Sequence, residues 1–234
     1  MKRLLPLLIL LLIILILVPL LRDGQGPREP ATGLPWQVEL TPDGHSRVFG
    51  LTLGRSSFQA AIRQHGPAME LAIIADPEED DAGALELFYG RFMAGMLSGR
   101  LILGTSMDRE VLLELRERAA DSKVLDSGSR KFILDPEDLP TARSAIIDSI
   151  TFIPEADLDS EVVRQRFGPP DQRLRLNDQI EHLLYPELGL DVLIDREGKE
   201  VLQYVKPAEF ERLRAPLEQA VREAAHEDAA GSPD

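Results

Sequence analysis

The chain has 234 residues, no cysteine, and 26 Lys plus Arg against 40 Asp plus Glu, a formal net charge of −14. A surface this acidic repels phosphate backbones and anionic headgroups, which excludes nucleic acid as a partner. Without cysteine there is neither a disulfide framework nor an acylated-cysteine anchor, so the fold depends on packing.

The chain opens with MKRLLPLLILLLIILILVPLLR, uncharged from Leu4 to Leu21. A helix over that run would rise roughly 27 Å, close to a hydrocarbon core. No small-residue cleavage pattern interrupts Leu20-Leu21-Arg22-Asp23. Residues 1–22 therefore read as an uncleaved transmembrane signal anchor. Lys2 and Arg3 precede the span, which predicts a cytoplasmic N-terminus, a single pass through the inner (cytoplasmic) membrane and a periplasmic soluble region. Residues 23–35, DGQGPREPATGLP, have linker composition.

Residues 36–122 form a first expected module. Trp36 to Leu51 reads as two strands joined by a Pro-Asp-Gly turn. Ser56 with Gln59 makes a capping box before Phe58, Ala61, Ile62 and His65 at helical spacing, and Gly66-Pro67 stops that helix. Strands are expected at 68–75, 85–89 and 100–103, with a hairpin at Ser98-Gly99, then a helix over TSMDREVLLELRERA. Residues 123–144 are a connector containing the hairpin candidate KVLDSGSRKFIL.

The second expected module, residues 145–224, restates the first. Asp157 is the expected N-cap of a helix stopped by Gly168-Pro169, followed by strands at 171–176, 181–185, 190–194 and 200–205 and a hairpin at Glu197-Gly198. Pro207 marks the start of a closing helix with Phe210, Leu213, Leu217 and Val221 on its inner face, kinked or split at Pro216. Residues 225–234 read as a disordered acidic tail. The whole predicts an α+β fold: a transmembrane helix, then two tandem modules of antiparallel sheet with helices packed on one face.

The order helix, Gly168-Pro169, polar strand, Leu184-Tyr185-Pro186, then Asp195-Arg-Glu-Gly198 hairpin resembles the small outer-membrane-assembly lipoprotein superfamily (SmpA/OmlA-like). That module is shared with β-lactamase-inhibitor proteins, which carry it twice. Phe88-Tyr89 and the Ser98-Gly99 turn carry the match in the first module. The resemblance implies a non-enzymatic envelope protein acting as an interaction or assembly module in the periplasm. Its partner would be another envelope protein or complex, with the inner membrane held through the N-terminal helix. The alternative it allows is an inhibitor or sensor that caps another envelope enzyme.

Catalytic signals are missing. His45 sits in a turn, His226 in the tail, and His65 on an apolar stripe, where a core histidine is the better reading. His182 follows Glu181 on a strand, so the two point to opposite faces. The acidic run Asp76 to Asp81 lacks calcium-loop spacing, and Ser56-Ser57 lacks a nucleophile elbow. No catalytic, cofactor-binding or metal residue is assigned, and no cofactor is expected. Tyr89, Tyr185 and Tyr204, with Phe88 and Trp36, read first as packing residues and second as a recognition face. A binding surface is expected on the sheet face opposite the helices, in the groove between modules, or on the loop from Asp76 to Gly83.

Overall fold

A computed structural model describes residues 32–76 and 81–230. Alternating apolar and polar residues dominate these stretches, and they fold mostly as sheet: thirteen β-strands and five α-helices among the described residues. Strands β1 (Glu39–Leu40), β2 (Ser46–Val48) and β3 (Leu51–Thr52) form a small sheet, followed by α1 (Phe58–His65). Next come β4 (Glu70–Ala75), β5 (Ala84–Ala94), β6 (Leu97–Thr105), α2 (Arg109–Glu117), β7 (Asp121–Val124), β8 (Arg130–Ile133) and α3 (Leu139–Ser144). Then follow β9 (Ser149–Pro154), α4 (Ser160–Phe167), β10 (Gln172–Arg175), β11 (Ile180–Tyr185), β12 (Leu190–Asp195), β13 (Val201–Val205) and α5 (Glu211–Ala230). Strands β4 to β13 make one antiparallel sheet in the order β10-β11-β12-β13-β9-β6-β5-β4-β8-β7.

This corrects the expected architecture. The two modules do not have separate sheets, because β9 pairs with β13 on one side and β6 on the other. That strand, SITFIP, alternates buried Ile150, Phe152 and Pro154 with less buried residues, and the sequence reading assigned it no element. The helices are not confined to one face. Buried residues of α1 to α4 (Phe58, Ala61, Leu112, Leu115, Ala142, Val163) join the main core with Leu87, Leu183 and Tyr204. Phe210, Leu213 and Leu217, at the start of and along α5, instead pack with Leu174, Leu184 and Val205 on the opposite, outer face. Successive strand residues point to opposite faces, so Leu183 and Leu184 necessarily belong to different clusters.

The membrane placement is also corrected. Among the described residues no helix is long and apolar enough to cross a membrane. The 20-residue α5 carries charges along its length and Pro216 inside it. The single-pass inner-membrane location is therefore not supported, and the apolar run on which it rested lies outside the described residues.

Smaller differences have local causes. The N-cap of α1 is Ser57, whose Oγ accepts from Ala60 N–H, while Ser56 Oγ accepts from Thr52 N–H. Asp159 rather than Asp157 caps α4, its Oδ1 accepting from Val162 N–H at 2.8 Å, while Asp157 pairs with Lys199 at 2.7 Å. Strand β5 runs past Tyr89 through a bulge at Gly90-Arg91, which turns Phe92 back into the core, so the hairpin turn lies at Gly95-Met96 instead of Ser98-Gly99. The last linker residues belong to the fold, since Tyr204 Oη donates to the Pro35 carbonyl at 3.0 Å. Helix α5 is not split at Pro216 and continues to Ala230, into the stretch read as a disordered tail.

The register reveals an approximate twofold axis normal to the sheet between β9 and β13. Across one half, Gln172 faces Leu184, Leu184 faces Asp191, and Asp191 faces Gln203. Across the other, Glu70 faces Phe88, Phe88 faces Ile102, and Ile102 faces Thr151. Gln203 and Thr151 face each other at the join. The correspondence extends to the core. Tyr89 Oη donates to Gly66 O at 3.2 Å and Tyr185 Oη to Gly168 O at 3.1 Å, and both glycines end their helices at positive φ, 93° and 87°. His65 stands edge-on to Tyr89 where Phe167 stands against Tyr185.

Candidate functional site

The inner face of the sheet is consumed by the core. Phe49, held at φ 52° in the two-residue turn between β2 and β3, packs centroid to centroid with Phe92 at 5.3 Å, Phe152 at 5.4 Å and Tyr204 at 6.0 Å. Tyr89, Tyr185 and Tyr204 are buried there, so they build the core and offer no recognition face. Trp36 lies under the Arg166 guanidinium, 4.7 Å from its ring.

The outer face differs between the two halves. Over β10, β11 and β13 it is closed by α5, with Gln172 donating to Glu218 at 3.4 Å. In the same face of the first half, Ile74, Phe88 and Ile102 belong to neither apolar cluster. Here an open groove of about 310 Å³ is lined by Glu70, Ala72, Ile74, Glu86, Phe88, Lys123, Leu125 and Lys131. Ile133, on the same face of β8, is 38 % exposed. The Lys131 ammonium donates a hydrogen bond to Glu70, and this bond, together with the positive charges of Lys131 and Lys123, holds the Glu70 carboxyl below its usual range. Glu86 is half-buried on the groove floor, and desolvation pushes its carboxyl above the ordinary value. The segment ALELFYGRF contained a signal for this groove. With Leu85, Leu87 and Tyr89 facing inward, Phe88 falls in the polar phase beside Glu86.

On the α5 side, the outer face carries a buried pair that single-strand reasoning missed. His182 Nδ1 lies 2.9 and 3.1 Å from the two carboxylate oxygens of Asp191 on the neighbouring strand. Both residues are buried, while Glu181 on the opposite face lies 3.7 Å from Arg173. A signal existed in the alternation of β12, where Asp191 interrupts an apolar strand. Such an imidazole–carboxylate pair orients a ring; among the described residues no serine or threonine hydroxyl is in hydrogen-bond contact with it.

The other histidines are dispersed. His45 Nδ1 bonds the Leu53 carbonyl at 2.7 Å. His65 lies beside Tyr89 and Phe92, where burial lowers its pKa, partly offset by the Phe49 backbone. The side chain of His226 lies outside the described residues, as do residues 77–80 of the acidic loop. Asp81 closes that loop's neck by accepting from the N–H of Asp76 at 2.7 Å and of Gly83 at 3.0 Å, which lowers its pKa. Among the described residues no cluster of three or more His, Asp or Glu has metal-binding geometry.

Compared with protein-family models, with curated proteins and with solved structures, the chain matches none.

Proposed function

We propose that this protein is a non-enzymatic protein-binding module whose receptor surface is the outer sheet face of the first half. The observation that carries this reading is the asymmetry between two halves of matched register. One half's outer face is sealed by α5, while the other presents an open groove floored by Ala72, Ile74, Phe88 and Glu86, with Glu70, Lys123 and Lys131 around it. An apolar surface with convergent charges is the composition of a specific interface, in which apolar contacts give affinity and charges give register. The buried His182–Asp191 pair acts in this reading as a structural tie between β11 and β12.

The test is site-specific photo-crosslinking in cells of the full chain. A benzoylphenylalanine is placed at Leu125 on the groove, or at Arg109 on α2 as a control for the opposite face. Reproducible capture of one protein from position 125, lost on Phe88→Lys and not seen from position 109, is the expected result. The same set of proteins from both positions, or none from position 125, refutes the reading.

A further inference from the structure

The register match allows the groove to be compared, residue by residue, with the surface that α5 already occupies. The strand pairings make Glu70 the counterpart of Gln172, Phe88 of Leu184 and Ala72 of Leu174. In the second half these positions form the seat of a helix: Leu174 and Leu184 receive the stripe of Phe210, Leu213 and Leu217, and Gln172 meets Glu218. The first half presents two of these positions, Ala72 and Phe88, in the groove, with no helix packed on them among the described residues. Its charge differs as well, because Glu86 occupies the place of His182 and Ile102 that of Asp191. The imidazole–carboxylate pair that is self-sufficient in the second half is thus replaced by a single half-buried carboxylate. Lys131 is committed to Glu70, and Glu86 has no hydrogen bond or ion pair among the described residues.

Resting on the protein-binding reading above, we propose that the groove receives an amphipathic helix of a partner protein. The helix takes the α5-like positions Phe88 and Ala72 and extends along β4 to Ile74, with an apolar i, i+3, i+7 stripe on these three residues. A lysine or arginine beside the stripe reaches Glu86. Helix-in-groove recognition reads such anchors, and a desolvated acid left unpaired in the free protein gains its counter-ion only on binding. The chain's own α5 is the wrong occupant. It is engaged in cis, and Glu218 would meet Glu70 where it now meets Gln172.

The probe is a labelled, hydrocarbon-stapled peptide spanning residues 207–224 with Glu218→Lys, titrated into the full chain by fluorescence anisotropy. Comparison peptides keep glutamate at 218 or carry Leu213→Glu with Leu217→Glu. Saturable binding of the lysine peptide is expected, with about tenfold weaker binding of the glutamate peptide, as one well-placed charge pair provides. No binding is expected of the stripe-broken peptide. In the chain, Glu70→Gln with Glu86→Lys reverses the order of the first two, which a misfolded variant cannot do, because Glu70→Gln restores the Gln172-type neighbour of position 218 and leaves residue 86 to set the charge preference. Amide-exchange protection on β4 and β5 locates the bound peptide. Equal affinity for the two charge forms, protection elsewhere, or self-association of the full chain through this face overturns the helix assignment. If the photo-crosslinker at position 125 still captures its partner, the protein-binding reading survives that result; if it captures nothing, both readings fall.

Discussion

Gly99 lies in β6 opposite Pro154 of β9, the strand that carries the sheet on to β13 and the other half. A Cβ built there would come within 2.6 Å of the Ile153 carbonyl oxygen and within 2.6 and 2.7 Å of two Phe152 ring carbons. The ring cannot retreat freely, because Phe152 is fully buried against Phe49 and Phe92. Gly99→Ala therefore either pushes β6 from β9 or drives Phe152 into its aromatic neighbours, an overpacking cost of about 1–3 kcal/mol. Reduced freedom of the unfolded chain returns about 0.4–1 kcal/mol, leaving a net loss of roughly 1–2 kcal/mol. For a chain of this size that lowers Tm by about 2–8 °C. Gly90→Ala in the same hairpin is the matched control, since its Cβ meets Phe88 at an ordinary 3.5 Å. Urea unfolding followed by Trp36 fluorescence should show Gly99→Ala shifted to lower urea and Gly90→Ala unchanged or slightly more stable. Equal midpoints for the two variants would refute the close β6–β9 pairing.

His65→Phe places in α1 the residue type that α4 carries at Phe167. Burial holds the His65 pKa below 6.5, so the unfolded chain binds the proton first and stability is lost as pH falls through that window. The phenyl variant should be flatter in thermal scans from pH 7 to 5, and an identical slope would count against a buried neutral imidazole. Tyr89→Phe and Tyr185→Phe should each cost about 0.5–1.5 kcal/mol and add in the double variant, because the two hydroxyl–glycine bonds are equivalent and independent. Strongly unequal losses in urea titrations would break the correspondence of the halves. His182→Leu should cost about 3–5 kcal/mol by stranding buried Asp191, and Asp191→Leu added to it should recover much of the loss. Additive losses in that double-mutant cycle would mean that the pair is not coupled.

Local features of the chain were legible because their causes are local. Gly66-Pro67 and Gly168-Pro169 end helices wherever such a chain folds, the alternation in Leu85–Tyr89 makes a strand of it, and the short apolar run Leu183–Tyr185 makes another. The repetition of helix, glycine stop and tyrosine strand was visible in the same way. What lay beyond the sequence was every decision between distant partners. SITFIP carries no marker saying that it bonds β13 and β6 at once, and that single choice turns two expected sheets into one. The face taken by α5 was equally hidden. An amphipathic helix specifies that it must cover something apolar, and only packing selects Leu184 over Leu183. The pairing of His182 with Asp191 and the exposure of the Glu86–Phe88 groove follow from strand register and from where α5 stops. The sequence by itself determined most of the elements, the glycine stops of two helices and the repeat; the tertiary structure alone decided the N-caps, the place of β9, the covered face and the open one, because those depend on contacts the linear pattern does not carry.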